Sequence, residues 1–109
     1  MIDYNFGDLE YIHSRCKELV DVKPYKGLPS LLVEELSELI HPLMKYERYF
    51  LKDITLIDNI NQIEENIYEE ISDVIVTLFQ FIYLFNFSYE KIMKICNEKI
   101  DRTFETLNK

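Results

Sequence analysis

A chain of 109 residues with a net charge of −8 has room for one domain, spanning 1–109, with a modest core. That charge excludes a binder of nucleic-acid polymers, which needs clustered Lys and Arg. Two glycines and three prolines supply little turn chemistry, so an all-α chain is expected. Two cysteines and no N-terminal leader pattern point to reduced thiols in a cytoplasmic protein rather than to a disulfide framework.

In chain order, residues 1–6 read as an irregular lead-in. A first helix is expected from 7 or 8 to 20, because Leu9, Ile12, Cys16, Leu19 and Val20 recur at helical spacing. Residues 21–30 hold Pro24, Gly27 and Pro29 and read as a loop. Ser30 is placed to cap a second helix, which runs to about 40. Pro42 removes a backbone donor and crowds the preceding turn, so a kink is expected at His41 and Pro42. The apolar pattern then resumes through Leu43, Met44, Tyr46, Tyr49 and Phe50. Residues 52–61 fit either a connecting loop with a helical turn or the start of the next helix.

A long central helix is expected over 62–85. Its second half is apolar on every side, with Val74, Ile75, Val76, Leu78, Phe79 and Phe81 among others. Such a helix is buried on more than one side, which in so short a chain points to a second copy. The run 74–87 contains Thr77, Gln80, Tyr83 and Asn86 and is too short to cross a membrane. Asn86 and Phe87 make a turn, Ser88 caps, and a last helix covers 89–107.

Two matched segments stand out. Glu34-Glu35-Leu36-Ser37-Glu38-Leu39-Ile40 and Glu69-Glu70-Ile71-Ser72-Asp73-Val74-Ile75 share one pattern: two glutamates, an aliphatic, a serine, an acid and two aliphatics. In each, the second glutamate and the later acid stand three residues apart, which places both on one side of a helix about 4.5 Å apart along its axis. Leu32, Leu36, Leu39 and Leu43 form one apolar arc, and Ile67, Ile71, Val74 and Leu78 form its counterpart. Glu35 and Glu70 border these arcs, Glu38 and Asp73 stand beside them, and Glu34 and Glu69 point outward. With the two helices side by side, four carboxylates meet, a cluster that like-charge repulsion disfavours unless a cation joins it. Glu35, Glu38, Glu70 and Asp73 are therefore the candidate metal ligands. Oxygen donors alone suit a hard ion, Mg²⁺ or Mn²⁺. Either segment alone would also fit an ordinary solvated helix face.

On the last helix, Lys99 and Arg102 are three apart and suit substrate phosphates; a solvated helix edge fits them as well, since Lys91 and Lys94 are near. His13 and Cys16 lack further partners at zinc spacing and read as packing groups. Tyr25, Tyr46 and Tyr68 are candidates for stacking on a base.

The doubled acidic motif followed by Lys99-x-x-Arg102 resembles the MazG-like branch of the all-α nucleoside triphosphate pyrophosphohydrolases, from about residue 27 to 104. The resemblance implies a four-helix bundle that assembles as a homodimer or homotetramer and splits a nucleoside triphosphate into monophosphate and pyrophosphate. It implies Mg²⁺ on Glu35, Glu38, Glu70 and Asp73, and phosphate contacts from Lys99 and Arg102. It gives the catalytic positions to Glu34 and Glu35, with Glu34 orienting or deprotonating the attacking water. The connection from Glu38 to Glu70 is longer than is usual in that family, which sets 46–61 apart as a lid or an oligomer contact. No Tyr-His pair follows Asp73, which separates the chain from the phosphoribosyl-ATP pyrophosphatases of the same fold and favours a role in cleansing the nucleotide pool. The alternative is a helical regulatory module that binds a nucleotide or a protein without turning it over.

Overall fold

The structure, a computed structural model, describes residues 6–50 and 60–108. These form four helices and no strand: α1 (Phe6–Val22), α2 (Leu28–Phe50), α3 (Ile60–Leu84) and α4 (Tyr89–Leu107). Residues 51–59, the centre of the uncertain 52–61 stretch and of the 46–61 segment, lie outside the described residues. Among the described residues no helix is long and apolar enough to cross a membrane.

The helix α2 starts earlier than its sequence suggests. Ser30 lies inside it rather than capping it, and Pro29 occupies its first turn. Proline is tolerated there, since its missing N–H would have no helical acceptor. The Gly27 carbonyl accepts from the Leu31 N–H at 3.0 Å, which opens the helix. The helix then runs unbroken through Pro42. A proline in a helix interior costs about 3 kcal/mol; here its ring is buried, which offsets part of that cost.

At the other end of α3, Asn86 adopts a positive φ of 58°. The Phe87 N–H reaches the Ile82 carbonyl at 3.0 Å, and the Asn86 N–H reaches Tyr83 at 3.2 Å. This pair of bonds is a Schellman cap, and the Phe87 ring stacks on Phe81 at 5.3 Å to complete it. Ser88 then caps α4, its hydroxyl accepting from the Lys91 N–H at 3.1 Å.

The central element is α3, with α2 packed on one face and α1 on another. Glu35 and Glu38 near the start of α2 meet Glu70 of α3, while Leu43 and Tyr46 further along share a cavity with Glu64, Ile67, Tyr68 and Ile71, so these two helices run antiparallel. Between α1 and α3, the buried Cys16 thiol donates to the Val76 carbonyl at 3.6 Å, and the Tyr83 hydroxyl donates to Asp21 at 2.9 Å. Among the described residues, Cys16, Val20, Leu28, Ile63, Phe79 and Ile82 are buried apolar side chains and Thr77 is a buried polar one. Leu36, Leu43 and Ile71 of the two apolar arcs stay exposed, as do Val76 of α3 and Phe85 just beyond its end.

Candidate metal centre

The antiparallel seam between α2 and α3 carries the doubled acidic motif. Oxygens of Glu35, Glu38 and Glu70 all lie within 4.8 Å of one another. Glu35 and Glu70 are half-buried, while Glu38 stands at the solvent edge. Glu38 of α2 and Glu70 of α3 bring carboxylate oxygens within 4.8 Å of each other. Two ionised carboxylates have no proton to share, so this contact calls for a proton or a cation between them.

The electrostatics agree. Burial pushes the Glu35 carboxyl above the usual range, and the charges of Glu38, Asp73, Glu70 and Glu34 push it further. Burial likewise raises Glu70, with Glu38, Asp73 and Glu69 adding to it. The decisive detail is a pair of orphaned atoms. Glu35 Oε2 and Glu70 Oε2 are buried and accept no hydrogen bond. A buried acceptor left unpaired costs about 1–3 kcal/mol, more when charged. Two such atoms on oxygen-only donors fit a hard divalent cation.

Asp73, expected as a fourth ligand, is exposed and falls outside the converging trio. It stays near enough for its charge to bear on both Glu35 and Glu70. Glu34 and Glu69 are exposed on the outer side of their helices. Lys99 and Arg102 share one face of α4 with Thr103 and Thr106, around a shallow depression. That face is not drawn into the α2–α3 seam, because α2 packs on α3 and not along α4.

One turn beyond the carboxylates, a cavity of about 260 Å³ is lined by Leu43, Tyr46, Glu64, Ile67, Tyr68 and Ile71. Two of the three candidate stacking tyrosines thus share one wall system beside Glu70. Glu64 is a lining residue the sequence reading did not single out. Its signal was there: a charge at a position where Ile60, Ile67 and Ile71 make an apolar stripe. His13 packs between the rings of Phe79, at 5.2 Å, and Tyr89, at 4.9 Å, and Cys16 is buried, so both serve packing.

No family model matches the chain, and neither a curated protein nor a solved structure matches it.

Proposed function

We propose that this chain is a Mg²⁺-dependent nucleotide pyrophosphohydrolase of the MazG-like kind, converting a nucleoside triphosphate to its monophosphate and pyrophosphate. The observation that carries this reading is the convergence of Glu35, Glu38 and Glu70 with two buried, unpartnered oxygens aimed into the seam. The reading includes the four-helix arrangement of that family, assembled as a homodimer or homotetramer, with α2 bent near Pro42.

In this account Glu35, Glu38 and Glu70 would hold the cation, with the charge of Asp73 close by. When bound, Mg²⁺ would supply charge neutralisation for the phosphates and stabilise the leaving pyrophosphate. Glu34 orients a water and accepts its proton as the water oxygen bonds to phosphorus at the α–β bridge. The bridging P–O bond breaks, and pyrophosphate leaves. Lys99 and Arg102 contact the phosphates, Arg102 as a two-pronged donor and Lys99 as a point charge. The cavity of about 260 Å³ between Tyr46 and Tyr68 lies just under the usual size for a small-molecule site, which suits a base rather than a whole nucleotide. The exposed apolar side chains of α3 and α4 favour a second reading, a binding module without turnover.

The test is a screen of the eight standard nucleoside triphosphates with Mg²⁺ and a pyrophosphate readout. Release of pyrophosphate that disappears with Glu70→Gln supports hydrolysis at this site. Nucleotide binding without release under any divalent cation favours the module. Activity that survives both Glu70→Gln and Asp73→Asn defeats the residue assignment.

A further inference from the structure

The cavity beside Glu70 has aliphatic and aromatic walls and one charged group. The helix α2 contributes Leu43 and Tyr46, and α3 contributes Glu64, Ile67, Tyr68 and Ile71. At about 100° per residue these four α3 positions form one stripe. Glu64 therefore stands in line with the apolar groups, not across the helix from them. Its acidic neighbours Glu65 and Glu69 are exposed, while Glu64 is half-buried. A charge held against apolar groups costs free energy unless partners satisfy it. An aliphatic side chain would continue the stripe without that cost, so packing alone does not call for an acid here.

The chemistry of the carboxylate says what suits it. An ionised carboxylate only accepts hydrogen bonds, and its two oxygens are best met by two parallel donors. Glu64 lies about 9 Å along α3 from Glu70, which leaves space for a sugar between a base in the cavity and phosphates at the carboxylate cluster. Free bases are read on their pairing edges, and those edges differ. Guanine sets N1–H and its 2-amino group side by side, two donors at the spacing of the carboxylate oxygens. Adenine and cytosine set one amino group beside a ring nitrogen that accepts. Uracil and thymine set one N–H between two carbonyls. On each of these a carboxylate gains one bond and meets an acceptor that repels it.

We infer that Glu64 determines base specificity and that the substrate class is a guanine nucleoside triphosphate, whose N1–H and 2-amino group both donate to the Glu64 carboxylate. This role rests on the proposed function, since the cavity serves as a base site only where a nucleotide is the substrate.

The test compares kcat/KM for guanine, hypoxanthine, xanthine and adenine nucleoside triphosphates with Mg²⁺, in both the ribose and deoxyribose series. Hypoxanthine keeps N1–H and lacks the 2-amino group. The wild type is expected to prefer guanine over hypoxanthine and adenine by roughly tenfold to a hundredfold. Glu64→Gln offers one acceptor and one donor. It is expected to lose the guanine preference and to gain on xanthine, whose 2-oxo group accepts. A purely structural role for Glu64 would lower all four rates together, and unchanged ratios in Glu64→Gln therefore overturn the assignment. Equal wild-type rates on guanine and hypoxanthine nucleotides overturn it as well, and both results leave the hydrolytic function standing. A wild type that hydrolyses no triphosphate overturns the functional reading instead. Calorimetric titration with the guanine and hypoxanthine triphosphates then decides the base preference: tighter binding of guanine that Glu64→Gln abolishes supports it, and equal affinities or no binding overturn it.

Discussion

Carboxylate oxygens of Glu38 and Glu70 lie within 4.8 Å of each other across the seam between α2 and α3. Each motif taken alone describes a solvated helix edge. Brought face to face, with Glu35 beside them, they form a place where negative charge accumulates.

That repulsion predicts an unusual stability profile. Glu70→Gln, which removes one charge of the trio, raises the melting temperature of the metal-free protein. In the same variant the stabilisation by Mg²⁺ is lost. In the wild type, Mg²⁺ at a hundredfold excess over its dissociation constant adds about 2.7 kcal/mol, worth about 10–20 °C for a domain of this size. Thermal melts of both proteins with Mg²⁺ and with a chelator check this. A wild type indifferent to the metal contradicts it.

The pH dependence follows from the raised carboxyls of Glu35 and Glu70. Both groups bind protons more tightly folded than unfolded. The metal-free fold is therefore stabilised by acid, and this contribution is fully present below the ordinary carboxylate pKa, about 4.3 for Glu. It is lost as pH rises through the raised folded value. Metal-free melting temperatures should fall across that window on going toward neutral pH, and saturating Mg²⁺ should flatten the fall. A metal-free melt that is most stable at neutral pH contradicts the sign.

The turn after α3 offers a prediction independent of any function. Asn86 holds a left-handed backbone that most side chains enter only at a cost of about 1–2 kcal/mol. Asn86→Ala should cost about 1 kcal/mol, and Asn86→Gly should be neutral or mildly stabilising. Denaturant melts of the two variants decide it; equal losses from both contradict the cap.

Much of this was legible in the sequence, for identifiable reasons. The phase of a helix is fixed by counting, so Glu35 and Glu70 fell at the edge of the apolar arcs, where they are half-buried. Ser88 was readable as a cap because its hydroxyl follows a turn and precedes a periodic stripe. Ser30 had the same local look, but Pro29 in the first turn moved the helix start to Leu28. The position of Asp73 outside the trio depends on how far α3 rolls against α2, which no local pattern encodes. That most of α4 stays exposed among the described residues was invisible for a related reason: an amphipathic stripe looks the same whether or not a neighbouring helix covers it.

If the cavity beside Glu70 takes a base, its tyrosines should affect binding more than turnover. Tyr68→Ala is expected to raise KM about tenfold with little change in kcat, because stacking of a base on an aromatic ring is worth about 1–3 kcal/mol. Steady-state kinetics on the preferred nucleotide check this. An unchanged KM removes Tyr68 from the pocket.

The most direct test is to count bound Mn²⁺ by electron paramagnetic resonance, with and without a non-hydrolysable nucleoside triphosphate analogue. The account predicts saturable binding to the wild type that tightens with the analogue, and its loss in Glu35→Gln and Glu70→Gln. Free Mn²⁺ that stays unchanged on adding the wild-type protein and analogue together, beyond what the analogue alone takes up, would contradict it.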